Sequence, residues 1–325
     1  MKRLILHVGP HKTGSSYLQK RLMLSRPVLE QQGVLYPEQF FFVFGHHYLC
    51  QALNKKVLSS EDQFSIDSIN SFEGDVILSS ENFSVQPRRF FERLRDVFDA
   101  EEILLSYVYR TPTDRLFSYW NEQVKHGSVE GFYEYTGPIF MRPYIVKDVN
   151  YLIFLKMVSD VFGRDSVRII DYSSIRKNSN ACSAFLSSVS LGTLIPDTNE
   201  NVNSMWLAED IEIIRQLNAV HIANGKLPKE RIRESYKRLA SSDDFDYGNL
   251  LGALAKYKKM LALGNTHIDK FVYDGINSNF EGVVCGGISK PLNKDKTIVT
   301  PGWFSEKSSR DDLLEIYEEI SRDLN

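Results

Sequence analysis

The chain of 325 residues lacks the features of a disulfide scaffold or a membrane protein. It has only three cysteines, Cys50, Cys182 and Cys285, an odd number at wide spacing. Such usage is typical of free thiols in a reducing compartment. No segment approaches the ~20 consecutive apolar residues that a bilayer-crossing helix needs. We therefore expect a cytoplasmic protein without an integral membrane segment.

An excess of charge of one sign is also missing. The 39 Lys and Arg residues face 42 Asp and Glu residues, which gives a formal net charge of −3 at pH 7. A protein that coats a polyanion needs a basic surplus, so we expect no nucleic-acid partner. Any anion site must therefore be local. The first segment, MKRLILHVGP, has a basic start, but its apolar run is too short for a signal peptide and predicts a strand instead.

The composition itself is that of a globular protein, with 42% hydrophobic and 25% charged residues. We find no repeat, no low-complexity run and no linker. The sequence therefore predicts a single domain over 1–325, with an α/β core in 1–175 and a mainly helical, loop-rich part in 176–325. Within that second part, we expect loops over 274–309 and a helix from about 311 to 324.

Four apolar segments, near 3–8, 75–79, 103–109 and 167–171, predict buried strands separated by helical stretches. This alternation is typical of a three-layer α/β fold, in which helices cover both faces of a central parallel sheet. Ligands bind such folds outside the carboxyl ends of the strands. Three segments follow predicted strands and are expected to face one crevice: 9–16, 79–82 and Arg110.

The segment LILHVGPHKTGSSYLQ, residues 4–19, combines a strand, a glycine-led turn and the start of a helix. The first N–H groups of a helix have no partner inside it, and they attract anions. Glycines allow close approach of the backbone, a lysine adds charge, and hydroxyl groups add donors. The residues concerned are Gly9, Lys12, Thr13, Gly14, Ser15 and Ser16. An ordinary capped turn is the alternative, but this concentration of donors favours a phosphate site.

The loop differs from the phosphate loop of nucleoside triphosphatases, G-x-x-x-x-G-K-[ST]. Gly9 and Gly14 have the right separation, but Ser15 stands where the lysine would be, and Lys12 precedes Gly14 by two residues. The lysine that would bind the outer phosphates of ATP is therefore absent from its usual position. The absence of this lysine argues against the alternative enzyme class, a P-loop kinase-like phosphotransferase that uses ATP.

The order Lys12-Thr13-Gly14-Ser15-Ser16 resembles the 5'-phosphosulfate loop of sulfotransferases, which use 3'-phosphoadenosine-5'-phosphosulfate (PAPS) as sulfuryl donor. Many bacterial members have a histidine before the lysine, as His11 stands here. The resemblance implies a P-loop-like sulfotransferase fold, donor contacts from His11–Ser16, and stabilisation of the transferring charge by Lys12.

A second segment strengthens this resemblance. The predicted strand 103–109 ends at Arg110, Pro112 suits a first helical turn, and Ser118 follows Arg110 by eight residues. A guanidinium forms two parallel charge-assisted bonds with a phosphate, which a lysine does not reproduce. In sulfotransferases, an arginine and a serine at this spacing bind the 3'-phosphate of the donor. The resemblance therefore implies the same role for Arg110 and Ser118.

The implied reaction is in-line transfer of a sulfuryl group from PAPS to an acceptor hydroxyl, which leaves adenosine 3',5'-bisphosphate and needs no metal. The similarity to bacterial carbohydrate sulfotransferases favours a glycan or its precursor as acceptor, with another small hydroxyl compound as the alternative. A non-catalytic nucleotide-binding regulatory protein is the non-enzymatic alternative. The sequence does not specify an oligomeric state.

The implied reaction needs a general base for the acceptor hydroxyl. Glu81 follows the second predicted strand and resembles in placement the catalytic glutamate of heparan-type glycan sulfotransferases, although Ser-Ser-Glu-Asn departs from their Glu-Lys-Ser pattern. His46 and His47, in VFGHHYLCQAL, come second. Glu38 comes third.

The segment before these histidines contains four phenylalanines within five positions. They cannot all face one side of a helix or strand, so we expect some to be exposed or to contact a second surface. Two interpretations are possible: these phenylalanines line a sugar site, or they belong to the hydrophobic core. The four are Phe40, Phe41, Phe42 and Phe44.

Overall fold

The computed structural model describes residues 1–178, 181–192, 194–195, 206–225, 229–242 and 248–322. Its strands are β1 (Arg3–Val8), β2 (Val34–Leu35), β3 (Asp75–Ser79), β4 (Glu102–Tyr109), β5 (Val167–Asp171), β6 (Lys258–Leu263), β7 (Val284–Cys285) and β8 (Lys294–Val299). Its helices are α1 (Ser15–Leu24), α2 (Arg26–Gln31), α3 (His47–Asn54), α4 (Ser60–Asn70), α5 (Arg88–Val97), α6 (Pro112–Lys125), α7 (Phe132–Met141), α8 (Tyr151–Phe162), α9 (Tyr172–Asn178), α10 (Ala181–Ser188), α11 (Ala208–Asn224), α12 (Lys229–Ala240), α13 (Gly248–Lys256), α14 (His267–Phe280) and α15 (Lys307–Arg322).

Contacts within the chain define two compact units. Unit 1 comprises Met1–Arg115, Tyr144–Val202 and His267–Pro291. Unit 2 comprises Leu116–Pro143, Asn203–Thr266 and Leu292–Asn325. The single domain over 1–325 stays a prediction. In the ranges that the structure describes, no helix combines the length and the apolar character needed to span a membrane.

Unit 1 contains a six-stranded sheet in the order β2-β3-β1-β4-β5-β7, with every neighbouring pair parallel. The register places Leu4 of β1 between Val76 of β3 and Ile103 of β4. The predicted strands correspond to β1, β3, β4 and β5, and only β4 differs, starting one residue earlier. The predicted α/β fold with a central parallel sheet is confirmed.

Helices cover both faces of this sheet because its strands are apolar on both sides. On one face, Leu104 and Val108 of β4 share a core with Leu18 of α1. Tyr107 points to the opposite face, since side chains alternate along a strand. Its ring lies 5.6 Å from that of Phe154 in α8. The central sheet and the helices on its two faces therefore form three layers.

The path of the chain creates a crevice between β1 and β4. From β1 the chain continues to β2, on one side of the sheet, whereas from β4 it continues to β5, on the other side. The loops after these neighbouring strands therefore leave in opposite directions. Such a switch point is where parallel α/β sheets bind ligands.

In unit 2, β6 and β8 pair antiparallel, with Lys258 opposite Val299. The fully buried Trp303 belongs to a core that also includes residues of α11, α13 and α15. The range 274–309, expected to form loops, therefore contains the end of α14, the start of α15 and two strands, β7 and β8. Of these two strands, β8 is the longer. Its sequence, KDKTIV, begins with three charged residues, and only Ile298 and Val299 are buried, so its apolar signal is weak.

Candidate functional site

The loop after β1 bends sharply before α1 begins at Ser15. Lys12, at a φ of 72°, and Gly14, at 89°, both adopt the left-handed conformation. Turns of this kind direct backbone N–H groups into a concavity that binds anions. The first turn of α1 contains no acidic residue, so the positive end of the helix is not neutralised there. The loop therefore has the geometry and the charge of an anion site.

Two hydroxyl groups shape the inside of this loop. Thr13 Oγ1 donates to the carbonyl of Pro10 at 2.7 Å and lies 3.4 Å from Ser15 Oγ, and both side chains are buried. A Cβ on Gly9 would lie 2.6 Å from Ser15 Oγ, so a larger residue would disturb the loop. Ser16 is exposed. Contact of these hydroxyls with a donor nucleotide stays a prediction.

Arg110, directly after β4, reaches this loop. Its Nη1 donates to the carbonyl oxygen of Lys12 at 2.6 Å, and its Nε donates to Asp114 Oδ2 at 2.9 Å. The guanidinium also lies 4.8 Å from the ring centre of Tyr172, which it faces. The structure thus brings Arg110 and the Lys12 loop together at the crevice between β1 and β4. Ser118 lies half-buried on α6, within unit 2, and its role stays a prediction.

Glu81 begins a short 3-10 helix, Glu81–Val85, two residues after β3. Only 7% of its surface is exposed. Its Oε2 accepts a hydrogen bond from Gln19 Nε2 at 3.0 Å and lies 3.7 Å from His47 Nε2. Since β3 neighbours β1, Glu81 lies at the same edge of the sheet as the Lys12 loop. Two of the candidate bases, Glu81 and His47, therefore form one group.

His47 has a defined orientation within this group. Its Nδ1 lies 2.8 Å from Ser80 Oγ, which also accepts the N–H of Asn82 at 3.2 Å. The other ring nitrogen is thereby directed at Glu81. His11 is close enough to respond to the same carboxylate. Burial lowers the pKa of His11, and the negative charge of Glu81 opposes that shift.

His46 is placed differently, and the structure argues against its predicted catalytic role. It is fully buried, and the Ser79 N–H donates to its Nδ1 at 3.0 Å. Its proton is therefore on Nε2, which donates to the carbonyl of Pro37 at 3.0 Å. Burial lowers the pKa of His46 to about 3. With both nitrogens bonded inside the protein, His46 holds the chain against β3 and is not positioned to accept a substrate proton.

Glu38 also lies apart from the Glu81 group. Its carboxylate accepts a hydrogen bond from Arg26 at 3.0 Å and is largely exposed. The same guanidinium lies 4.4 Å from the ring centre of Phe41. Glu38 therefore belongs to a surface ion pair.

Two residues of the site are missing from the sequence-based set. Gln19 is buried on α1, on the face that also buries Leu18 and Leu22, and a polar residue within such an apolar stripe is a usable signal. Arg115 is buried on α6, where its Nε donates to Tyr151 Oη at 3.0 Å. Burial is the main cause of the lowered pKa of His11, and the positive charge of Arg115 lowers that pKa further. Among the described residues, no group of three or more His, Cys, Asp or Glu side chains could hold a metal ion.

Comparison with known proteins yields only distant likenesses. No protein-family model matches the chain, and no curated protein matches it significantly. A sulfotransferase from Alicyclobacillus acidocaldarius is similar in structure, with 19% identity over 68% of this chain and 96% of that chain, at a TM-score of 0.37. The sulfotransferase domain from the curacin biosynthetic pathway shows 14% identity over 61% of this chain and 76% of that chain, at a TM-score of 0.34. Values this low establish no activity, so the argument for function rests on the site.

Proposed function

We propose that this protein is a PAPS-dependent sulfotransferase that transfers the sulfuryl group to an acceptor hydroxyl. The observation that carries the proposal is the 2.6 Å hydrogen bond from Arg110 to the carbonyl of Lys12. It joins the two segments that resemble the donor site of sulfotransferases, and it does so at the crevice between neighbouring parallel strands.

The residues present fit a nucleotide with phosphates at two positions. The Lys12 loop and the amino terminus of α1 suit the 5'-phosphosulfate, because both offer backbone N–H groups and positive charge. Arg110 suits the 3'-phosphate. A guanidinium has five N–H donors, and the bonds to Lys12 and Asp114 use one each. The remaining donors are sufficient for a bidentate bond to a phosphate.

The proposed chemistry moves one proton and one sulfuryl group. PAPS supplies the sulfuryl group, and adenosine 3',5'-bisphosphate leaves when the bond between sulfur and the bridging phosphate oxygen breaks. Glu81 accepts the proton of the acceptor hydroxyl as its oxygen bonds to sulfur. Gln19 orients the carboxylate, and His47 lies beside it. Lys12 stabilises the charge that develops on the leaving oxygen, which is the electrostatic role expected in such transfers.

We further propose a carbohydrate acceptor and a cytoplasmic location. The carbohydrate assignment comes from a resemblance to bacterial carbohydrate sulfotransferases, which often have histidine in the early loop where His46 and His47 stand. None of the three cysteines, all of which lie in the described ranges, forms a disulfide, which is in keeping with a reducing compartment.

Calorimetry with adenosine 3',5'-bisphosphate and with ATP, each with and without Mg²⁺, tests the donor site. We expect the bisphosphate to bind more tightly than ATP and to need no metal. Lys12→Ala and Arg110→Lys should each weaken binding about tenfold or more, because each removes a phosphate contact. Arg88→Ala, at an exposed ion pair on α5, is the matched control and should bind normally.

Transfer of radiolabelled sulfate from PAPS to hydroxyl acceptors tests the reaction itself. Equal binding of ATP, a requirement for Mg²⁺, or normal binding by both site variants would reject the donor assignment. Tight binding of the bisphosphate without transfer to any acceptor would instead favour the regulatory alternative.

A further inference from the structure

An exposed aromatic surface lies beside His47 and takes no part in the donor site. Phe42 and Tyr48 expose 51% and 44% of their surface, and their ring centres are 5.2 Å apart. The ring of Phe42 also lies edge-on to that of His47, at 6.4 Å. We name this pair the Phe42–Tyr48 surface. It agrees with the expectation that some of the clustered phenylalanines are exposed, and it adjoins the group that contains Glu81.

The backbone that presents Phe42 is held in an unusual conformation. Two hydrogen bonds between Phe42 and Gly45, of 2.8 and 3.2 Å, close a two-residue turn. Val43, in this turn, has a φ of 58°, which is rare for a β-branched residue. Its own side chain is exposed, so its packing does not account for the conformation. Backbone outliers of this kind cluster where a protein holds a ligand.

The turn is also fixed against the candidate site. A Cβ on Gly45 would lie 2.8 Å from Gln19 Nε2 and 2.8 Å from the carbonyl of Ser79. The next residue, His46, donates its N–H to the same carbonyl at 2.7 Å. The turn therefore rests on the end of β3 and on the glutamine that bonds to Glu81. This contact sets the position of the Phe42–Tyr48 surface relative to the proposed base.

Tyr48 also lines a cavity of about 260 Å³ between α3 and α4. Its lining residues on α3 are Tyr48, Gln51 and Ala52, and Gln51 lies one helical turn after His47. Ligand pockets for drug-sized molecules measure roughly 300–1,000 Å³, so this one suits a single ring. Two aromatic side chains and several polar ones share its wall. The lining residues are Phe40, Tyr48, Gln51, Ala52, Lys55, Glu61, Asp62 and Ser65.

This lining matches the chemistry of a sugar. A pyranose ring offers an apolar C–H face to an aromatic side chain and hydroxyl groups along its edge to amides and charged groups. A phenol would match the aromatic rings but offers a single hydroxyl group, whereas a sugar offers several to Gln51, Glu61 and Ser65.

We propose that the acceptor is a glycan of at least two sugar rings. One ring, with the reacting hydroxyl, packs on Phe42 beside His47 and Glu81, and the adjoining ring occupies the cavity next to Tyr48. The proposal rests on the proposed sulfuryl transfer and adds the size and chemical class of its acceptor. The ring of Phe42 lies near those of both His47 and Tyr48, and so connects the proposed base with a residue that lines the cavity.

The test compares acceptors of increasing length with PAPS at saturation. Glucose, galactose and N-acetylglucosamine are assayed against their β-linked disaccharides and tetrasaccharides and against p-nitrophenol. We expect kcat/KM to be at least about tenfold higher for a disaccharide than for its monosaccharide. Phe42→Ala and Tyr48→Ala should each raise the acceptor KM about tenfold, as expected for a central aromatic contact. The KM for PAPS should stay unchanged, which also shows that the variants are folded.

Phe64→Ala is the matched control, because this phenylalanine of α4 is 75% exposed and does not line the cavity. It should behave as wild type. Unchanged acceptor KM in both aromatic variants, equal use of mono- and disaccharides, or transfer only to p-nitrophenol would overturn the proposal. So would transfer to none of these acceptors by a protein that binds adenosine 3',5'-bisphosphate. Failure to bind that nucleotide would instead reject the donor site.

Discussion

At the scale of single residues, Glu81 is the side chain on which turnover should depend most. Its replacement by Gln keeps the shape and the bond to Gln19 but removes the proton acceptor. A general base contributes about 10²–10⁴ in rate, so we expect kcat to fall by roughly that factor. Affinity for adenosine 3',5'-bisphosphate, measured by calorimetry, should stay within about twofold of wild type, because the proposed nucleotide contacts come from Lys12 and Arg110. Retained turnover in this variant, together with its loss in His47→Gln, would assign the proton to the histidine.

Gln19 offers a second test at this scale, because its proposed role is to orient Glu81 and not to contact the substrate. Gln19→Met preserves length and burial but removes the 3.0 Å hydrogen bond to the carboxylate. Hydrogen bonds to charged groups contribute about 1.5–3 kcal/mol. We therefore expect kcat to fall roughly ten- to hundredfold at unchanged KM for PAPS. Gln63→Met, at an exposed position of α4, is the control. A change in stability with normal kcat would show that Gln19 only supports the fold.

At the scale of elements, two buried histidines bind the end of β3 to its neighbours. His7 of β1 bonds to Ser79 Oγ at 2.7 Å, and His46 accepts the N–H of the same residue. Burial lowers the pKa of each to about 3. Because an unfolded histidine titrates near 6.5, the unfolded chain binds more protons between pH 3 and 6.5. Stability contributed by these groups is therefore complete above pH 6.5 and is lost as the pH falls toward 3.

The lowered pKa values of His7 and His46 in the folded state predict that the fold loses stability in acid. Each of the two histidines should lower the free energy of unfolding by about 2 kcal/mol between pH 7 and pH 5. Urea unfolding at pH 7, 6 and 5 measures the effect. His46→Gln should show a shallower pH dependence than wild type, whatever its stability at pH 7, whereas His126→Gln, at an exposed position, should not. Identical slopes in all three proteins would contradict the neutral, buried state of His46.

The strands that sequence reasoning located are those whose residues are buried on both sides. Strands β1, β3 and β4 are continuous apolar runs, and a run of this kind has few alternatives to a central strand. The proximity of Arg110 to the Lys12 loop followed from the same logic, since parallel strands end at one edge. Strand β8 was not predicted, because KDKTIV lies in a two-stranded sheet. In such a sheet, tertiary contacts decide whether a segment forms a strand, and the sequence pattern does not.

The candidate site was predicted less completely, because side-chain direction is not encoded in spacing. His46 and His47 are adjacent in sequence, but one bonds inward at both nitrogens and the other faces Glu81. Gln19 lies 62 positions from its carboxylate partner. Such pairs depend on how a helix is rotated against the sheet, which only the assembled core determines.

At the scale of the whole molecule, nearly all the proposed donor contacts belong to unit 1, and Ser118 alone belongs to unit 2. A ligand that binds only the folded state stabilises it by about 2.7 kcal/mol at a hundred times its Kd. Hydrogen exchange followed by mass spectrometry, with and without adenosine 3',5'-bisphosphate at that excess, should show which segments of the chain the nucleotide stabilises.

We expect slower exchange in peptides that cover 9–16 and 110–115, by up to about a hundredfold. Peptides of β6 and β8, in the core around Trp303, should exchange at unchanged rates, and ATP at the same concentration should protect neither set. Protection of 116–125, the part of α6 that lies in unit 2, would support contact between Ser118 and the nucleotide. Protection confined to β6 and β8 would contradict a donor site at the Lys12 loop, since a bound phosphate must first order the backbone that holds it.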